Sequence, residues 1–271
     1  MVTVVKIFRY IIGILLTFLI VFPFYWVIVS SFKPADQILK PDLFPKAFTL
    51  VHYQELIEQT SYLTNLSNSI IVSIGTMAIS VLIVIPASFA LYRMKFKGRK
   101  FVSRLILATY VFPGILLLVP VYQLMADLHL VNSLFGLMVI NVTFAAPFSV
   151  WLMQGFFDNV PIALDESAAI DGAGRMRTLF QIILPLIGPG IATISIYAFI
   201  MAWTEFAFSS VLINSDSLRT LPIGLNAIMG QYTVRWGWTT AGAVLALLPV
   251  VIFFAFVGKY FVKGLTAGAV K

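Results

Sequence analysis

Six long apolar runs restrict the folds open to this 271-residue chain more than any other feature of its sequence. Each run is long enough for a helix of about 20 residues, which crosses about 30 Å of hydrocarbon. The runs are Tyr10–Phe32, Ser69–Leu91, Phe101–Leu124, Ser133–Phe156, Leu186–Ile213 and Thr239–Phe261. Only 11% of the residues are charged, whereas soluble domains carry about 25%. The sequence therefore predicts an all-α polytopic membrane protein with six transmembrane helices.

We expect one transmembrane domain over residues 1–271, with its core helices within about 69–261. The first run is too long for the core of a signal peptide, and it ends in Ser30, Ser31 and Phe32 instead of a small-residue cleavage site. We therefore interpret it as a retained first helix. Six crossings place both termini on the same side of the membrane.

The distribution of basic residues predicts which side that is, because short cytoplasmic loops are enriched in Lys and Arg. With both termini cytoplasmic, 13 of the 18 basic residues lie on that side: Lys6, Arg9, Arg93, Lys95, Lys97, Arg99, Lys100, Arg104, Arg175, Arg177, Lys259, Lys263 and Lys271. The other side receives Lys33, Lys40, Lys46, Arg219 and Arg235. This bias predicts cytoplasmic termini. The same basic residues flank the membrane and its lipid, and they account for the net charge of +7. A nucleic-acid partner is therefore not needed to explain that charge.

Two segments, 33–63 and 214–238, are predicted on the external side. In the first, prolines precede the amphipathic stretch Tyr53–Glu58, which indicates a turn followed by a short surface helix. His52 and His129 both fall in predicted external loops without a second ligand at metal spacing, and the chain has no cysteine. We expect two surface histidines and no metal site.

Prolines recur inside the apolar runs, where a soluble helix would be strongly destabilised by them. They are Pro23, Pro86, Pro113, Pro120, Pro147 and Pro249. Membrane helices tolerate proline when neighbouring groups satisfy the freed carbonyls. Ordinary kinks and hinges for a transport cycle both remain open.

The polar connection over residues 158–185 is long for a cytoplasmic loop. Asp158 or Asn159 is suited to cap a short helix that has Pro161 in its first turn, and Gly172 is suited to end it in a left-handed conformation. A second helix follows from about Arg175. Small residues on the first helix would fit a partner's groove, but an interfacial amphipathic loop has the same pattern.

The stretch Glu166-Ser167-Ala168-Ala169-Ile170-Asp171-Gly172-Ala173, followed by Ile182-Ile183-Leu184-Pro185, resembles the EAA loop of ABC-importer permeases. Ser167 stands where that family usually has Ala, a small-for-small change. Asn68-Ser69, the segment 86–93 and the tail 264–271 resemble the MalG-like partner in the carbohydrate branch of that family. Thr204 departs from that branch, which commonly has Asn after the Trp equivalent to Trp203.

The resemblance implies a permease subunit in the cytoplasmic (inner) membrane of a prokaryote. Its implied partners are a MalF-like second permease subunit, two ATP-binding subunits, an external solute-binding protein and a sugar substrate. The loop would then form the coupling helix, with Glu166, Ser167, Ala168, Ala169, Asp171, Gly172, Ala173 and Pro185 as its coupling residues. The chain lacks the Gly-x-x-x-x-Gly-Lys-Ser/Thr motif, so we expect no enzyme activity and no cofactor in it, with ATP and Mg bound by the partners.

Glu205 is the acid placed well inside an apolar run, and a carboxylate in a membrane is expensive to bury. It either lines the solute path or makes a structural hydrogen bond between helices. Trp203, Tyr197 and Asn141 are further candidates for the solute path, since aromatic and amide groups suit sugars, although packing explains such residues equally well. Residues 214–238 are, by resemblance, a candidate contact for the solute-binding protein.

Two other classes of membrane protein compete with this interpretation. A secondary transporter would bind a coupling ion near the midplane, but the chain shows no inverted repeat and has a single acid well inside a run. A scaffold protein would leave the polar loop unexplained. The leading hypothesis is an importer permease.

Overall fold

A computed structural model describes residues 2–230 and 234–267, and every regular element in those residues is helical. The long helices and the short helices that connect them are α1 (Val2–Ser31), α2 (Val51–Gln59), α3 (Tyr62–Arg93), α4 (Arg99–Val111), α5 (Leu118–Asp127), α6 (Leu134–Asp158), α7 (Ala163–Ile170), α8 (Arg175–Leu186), α9 (Gly188–Trp203), α10 (Ala207–Leu212), α11 (Leu221–Met229) and α12 (Trp236–Ala267). Short 3-10 turns cover Gly114–Leu117 and Asp216–Leu218. The all-α prediction is confirmed for the described residues.

Within the described residues, four helices contain apolar segments that are long enough to cross a membrane, namely Phe8–Ser31, Tyr62–Arg93, Leu134–Asp158 and Trp236–Lys259. Two further candidates are bent pairs: α4 with Gly114–Asp127, at 90°, and α8 with α9, at 83°. Counting each pair as one crossing brings the number to six. The third apolar run, predicted as one spanning helix, is interrupted between α4 and Gly114, and the fifth run begins at the bend between α8 and α9.

The break in the third run lies at Phe112 and Pro113. Phe112 is extended, with φ −74° and ψ 127°, as expected for a residue that precedes proline. Pro113 also lacks the N–H that would continue the helix. By contrast, Pro23, Pro86 and Pro147 lie inside unbroken helices, as does Pro249. Hydropathy does not separate these two cases, since both kinds of proline have apolar neighbours.

Contacts along the chain define two compact units, the first formed by Met1–Leu63 and Gly224–Pro249. Lys33 is fully buried there, and its ammonium group donates to the carbonyls of Lys40 and Asp42 at 3.1 and 2.7 Å. It also lies 4.5 Å from the ring centroid of Trp26. The irregular segment between α1 and α2 is therefore fixed by its hydrogen bonds to one buried ammonium group.

The predicted short surface helix after the prolines exists as α2, with Gln54, Glu58 and Gln59 exposed and the opposite face buried. Leu56 is fully buried, and His52 is only 5% exposed, so the prediction of a surface histidine was wrong at that position. His52 Nε2 lies 2.9 Å from the Lys33 carbonyl oxygen, and the backbone of Gly237 packs directly on the imidazole ring. His129 is exposed, as expected.

The second unit comprises Thr64–Ile223 and Val250–Lys271, and α6 packs against α4 and α9 within it. One apolar cluster lies towards the C-terminal end of α6, where Phe157 packs with Phe89 of α3 and with Leu179 and Ile183 of α8. A second cluster lies towards the other end of α6. The first cluster supports the polar connection from α6 to α9.

Candidate functional site

The polar segment 158–185 folds as two helices, α7 and α8, on one end of the second unit. α7 begins at Ala163, and no side chain caps it. The predicted cap at Asp158 or Asn159 was wrong, because α6 continues through Asp158 and the Asn159 amide donates to Gly155 O at 2.8 Å. Asp165 and Glu166 lie in the first turn, where the helix dipole favours negative charge.

Gly172 ends α7 in the predicted left-handed conformation, with φ +76°. Its N–H donates to Ala169 O at 3.1 Å, and the N–H of Ala173 donates to Ala168 O at 2.8 Å. These paired bonds form a Schellman motif, which satisfies carbonyls that the helix end leaves free. A side chain at this φ is strained even though the space around Gly172 is open.

α8 is partly buried and contains a π-helical stretch over Thr178–Ile183. Leu179 and Ile183 on this stretch are fully buried in the apolar cluster, whereas Met176 and Phe180 are more than half exposed. The two faces differ because the helix lies on the body of the unit with one side open. α8 thus anchors the segment that follows Gly172.

The predicted coupling residues, on α7, on the turn after it and at the end of α8, include both buried and exposed positions. Ala168 is buried, and Ala173 is half-buried. The exposed members of the set are Glu166, Ser167, Ala169, Asp171, Gly172 and Pro185. Ile170 is 86% exposed, an unusual position for a large apolar side chain. α7 therefore presents small, acidic and apolar groups on an open face.

Arg93, the last residue of α3, holds the start of this segment. Its guanidinium group forms an ion pair with Asp165, at 2.5 Å, and the Arg93 side chain is 7% exposed. It also donates to the carbonyls of Phe157, Val160 and Pro161, at 3.3, 2.8 and 3.3 Å. One side chain of α3 thus contacts both the end of α6 and the first turn of α7.

Sequence reasoning assigned Arg93 only to a basic cluster that sets membrane orientation. A clue to a more specific role was present, because Arg93 closes the segment 86–93, which carries part of the family resemblance. Arg93 and Asp165 also line a cleft of about 340 Å³ with Glu166, Ala169 and Arg175. The pairing joins residues 72 positions apart, which no local pattern indicates.

Glu205 lies at the interruption between α9 and α10 and is partly buried. Its carboxylate accepts hydrogen bonds from the backbone N–H groups of Phe208 and Ser209, at 2.6 and 2.9 Å, and from the Ser209 hydroxyl, at 2.5 Å. These bonds cap the start of α10, which is a local structural role in place of the predicted hydrogen bond between helices. They leave the assignment to a solute path as a prediction.

The other three candidates for the solute path differ in burial and in their neighbours. Trp203 is buried and stacks on Phe199, with 5.7 Å between ring centroids, and Asn141 is buried in α6. Tyr197 is partly exposed and lies 4.9 Å from the ring of Phe148. Phe148 also contacts the rings of Tyr110 and Trp151, which are exposed. Tyr197 thus belongs to an accessible aromatic cluster, unlike Trp203.

The segment between α10 and α11 is fixed by polar side chains from distant parts of the second unit. Asn68 of α3 donates to the carbonyls of Ser217 and Arg219, both at 2.9 Å. The Ser69 hydroxyl accepts from Leu221 N at 2.7 Å. The Asn68-Ser69 pair noted in the sequence therefore positions part of the predicted external segment 214–238.

Comparison with known proteins adds a family match to this geometry. Residues 83–267 match the family described as binding-protein-dependent transport system inner membrane component. The galactooligosaccharides transport system permease protein GanQ of Bacillus subtilis is 36% identical, covering 97% of this chain and 95% of its own length. The trehalose/maltose transport system permease protein MalG of Thermococcus litoralis is 35% identical, covering 96% of this chain and 94% of its own.

A solved structure shares the fold over nearly the whole chain. It is a chain of a bacterial ABC transporter involved in the import of the acidic polysaccharide alginate. The TM-score is 0.83 at 20% sequence identity, with 96% of this chain and 97% of that chain covered. At this identity the likeness concerns the fold alone.

Proposed function

Because the chain belongs to the family of binding-protein-dependent transport system inner membrane components, a family of multi-pass permease subunits of ABC importers, we propose that it builds the translocation pathway for a sugar or oligosaccharide together with a MalF-like second permease subunit. The observation that carries the proposal is α7, an exposed helix of small residues whose end is set by a left-handed Gly172. Such a helix suits a groove on a partner.

The substrate class rests on the relatives. Their names specify galactooligosaccharides, trehalose or maltose, and diacetylchitobiose, which are all carbohydrates of at least two sugar units. These proteins match almost the full length of the chain, so the likeness is not limited to the polar loop. We assign a sugar or oligosaccharide as the substrate, delivered by an external solute-binding protein.

Coupling to ATP hydrolysis takes place at α7 and the turn that follows it. Two cytoplasmic ATP-binding subunits bind ATP and Mg, and each docks one permease helix in a groove. Ser167 and Ala169 keep the docked face of α7 narrow, and Glu166 and Asp171 offer carboxylates for pairing with basic groups on the ATPase. Ala168 and Ala173 hold the helix and the turn that follows it against the permease body, and Pro185 lies exposed at the end of α8.

The membrane arrangement that fits this role has both termini in the cytoplasm and six crossings in one transmembrane domain over residues 1–271. In it, α4 with Gly114–Asp127 and α8 with α9 each count as one crossing. The segment 158–185 then lies beside the ATPase, and 33–63 and 214–238 lie outside, where 214–238 meets the solute-binding protein. Tyr197, Trp203, Asn141 and Glu205 remain the proposed contributors to the solute path.

The proposal is tested by purifying this chain together with its second permease and ATPase subunits and reconstituting the complex in proteoliposomes. We expect uptake of a maltose, galacto- or chito-oligosaccharide that requires ATP and the solute-binding protein. Uptake by this chain alone, driven by an ion gradient, would overturn the assignment in favour of a secondary transporter. A chain that assembles with no ATPase would overturn it as well.

A further inference from the structure

The guanidinium group of Arg93 is nearly excluded from solvent. A buried charge is strongly unfavourable unless it is paired and hydrogen-bonded. The two terminal nitrogens of Arg93 are paired with the carboxylate of Asp165, at 2.5 Å, and with three backbone carbonyls at 2.8 to 3.3 Å, whereas its Nε has no hydrogen-bond partner among the described residues. The number and closeness of these partners distinguish Arg93 from a residue that only marks the cytoplasmic side of a helix.

Other basic residues of the same cluster lack this environment. Lys95, Lys97 and Lys100 are exposed on the turn between α3 and α4. Arg99 donates to the carbonyl of Met94, five residues away in the same turn. Only Arg93 among these residues reaches across to α6 and α7 in the described part of the chain, so a general preference for basic residues near the membrane does not account for it.

The partners of Arg93 belong to two separate elements. Phe157 O lies in the last turn of α6, and Val160 O and Pro161 O follow it, where the helix dipole and free carbonyls favour a cation. Asp165 lies in the first turn of α7. Arginine suits this arrangement because its planar group presents several donors at fixed angles, which a lysine ammonium does not.

The remaining contacts of α7 with the body are small. Ala168 is its one fully buried side chain, and Leu164 is partly buried against the apolar cluster. The burial of a methyl group and part of a leucine side chain holds α7 on the unit less strongly than a buried ion pair with several hydrogen bonds does. Among the described residues, the Arg93–Asp165 pair is the salt bridge that joins α7 to a long apolar helix.

We propose that Arg93 is a positioning residue for coupling, which transmits the displacement of α7 to α3 through its pair with Asp165. This inference rests on the proposed function, in which α7 receives movement from an ATPase. Without the pair, α7 still docks and ATP hydrolysis continues, but α3 follows the movement incompletely. The consequence is a fall in the number of sugar molecules imported for each ATP hydrolysed.

The test measures that ratio in proteoliposomes that contain the full complex. For Arg93→Gln we expect ATP hydrolysis to continue and the ratio to fall about two- to thirtyfold, the range by which residues along a coupling network alter coupling. Arg93→Lys keeps the charge but not the planar donor set, so its ratio should lie between Arg93→Gln and the wild type. Lys97→Gln removes the same charge from an exposed position in the same turn and should leave the ratio unchanged.

Asp165→Asn and Asp165→Glu separate positioning from folding. Asp165→Asn should lower the ratio, since it removes the charge while the carbonyl contacts of Arg93 remain, and Asp165→Glu should preserve most of it. If Arg93→Gln does not assemble, the Asp165 pair of variants decides the question. A ratio equal to that of the wild type in Arg93→Gln, or in Asp165→Asn, overturns the inference. A wild-type complex without ATP-dependent uptake would instead overturn the proposed function itself.

Discussion

At the scale of single residues, Gly172 is constrained by its left-handed backbone conformation and Glu205 by the hydrogen bonds of its carboxylate. Gly172 has φ +76° with nothing within 4 Å of the position a Cβ would occupy, so its constraint is purely conformational. Glu205 is constrained by three hydrogen bonds to the start of α10. Substitutions at the two positions therefore act through different physical causes and are tested differently.

Replacing Gly172 by Val should impair import while membrane insertion remains intact. A β-branched residue in the left-handed region is destabilised by at least about 1–2 kcal/mol, which shifts the end of α7 away from the Schellman geometry. We expect at least a tenfold loss of oligosaccharide uptake at equal protein in the membrane, in line with about 1.4 kcal/mol per factor of ten. Gly172→Asn should retain more activity, because Asn tolerates this conformation.

Gly174→Val is the matched control for that variant. Gly174 lies two residues further along the same turn, also in open space, but its φ is −69°. A side chain there meets neither a clash nor a left-handed backbone, so uptake should stay close to that of the wild type. Equal uptake in Gly172→Val and the wild type would contradict the role of the turn.

Replacing Glu205 by Gln should alter transport more than assembly. The neutral amide has a single acceptor oxygen, whereas the carboxylate accepts from two backbone N–H groups and one hydroxyl, so the cap of α10 is weakened by about 1 kcal/mol. We expect slower uptake at a nearly normal yield of complex, measured as initial uptake rates over a range of sugar concentrations. Unchanged kinetics would leave Glu205 as a structural cap only. Ser210→Ala, which removes an exposed hydroxyl from the same helix, is the control.

At the scale of elements, proline position and backbone packing decide where helices break and how closely they approach. The third apolar run bends by 90° at Pro113, while Pro147 leaves α6 continuous. In the first unit, α2 approaches the start of α12 closely at Gly237, where the imidazole of His52 occupies the space of a missing side chain. The Tyr62 hydroxyl also donates to Gly242 O at 2.6 Å, and this hydrogen bond fixes the position of the start of α12 in that unit.

Gly237→Ala should destabilise the contact between α2 and α12. The added methyl group would overlap the His52 ring, and forcing extra atoms into a packed interface costs about 1–3 kcal/mol. We expect a lower unfolding temperature in detergent, measured by the loss of monodisperse protein on heating. Gly258→Ala places the same methyl group on α12 in open space and should be neutral or slightly stabilising. A Gly237→Ala protein as stable as Gly258→Ala would contradict the packing.

At the scale of the whole molecule, the unequal distribution of basic residues and the apolar helices together predict one orientation in the membrane. Thirteen of 18 Lys and Arg residues are predicted on the cytoplasmic side. On this arrangement the turn that contains Lys97 is cytoplasmic, and the segment that contains Ser217 is external. The coupling proposal depends on this orientation, since α7 has to reach a cytoplasmic ATPase.

Cysteine labelling tests the orientation directly, because the natural chain has no cysteine and each variant introduces a single thiol. Ser217→Cys should react with a membrane-impermeant maleimide in intact cells. Lys97→Cys should react only after the cells are permeabilised. Both side chains are exposed, so a difference in labelling reports the side of the membrane and not burial. The reverse pattern would contradict cytoplasmic termini and the proposed docking of α7.

The sequence by itself determined the helical class, most of the apolar helices, the acidic first turn of α7 and the left-handed end at Gly172. These features follow from local physics, since hydrophobic length, helix-dipole charge and the conformational freedom of glycine all act within a few residues. The motif of residues 166–185 also indicated the family before any geometry was known. The family match over residues 83–267 agrees with that assignment.

The tertiary structure decided the breaks in the third and fifth runs, the burial of His52 and the capping role of the Glu205 carboxylate. It also decided which groups Arg93 contacts. Arg93 and Asp165 are 72 positions apart, and the contact of His52 with Gly237 spans 185 positions. Whether such groups meet depends on how helices pack, and the residues next to them in the sequence do not predict that packing. A basic residue beside an apolar run predicts a membrane side, but only the fold distinguishes the exposed Lys97 from the buried Arg93.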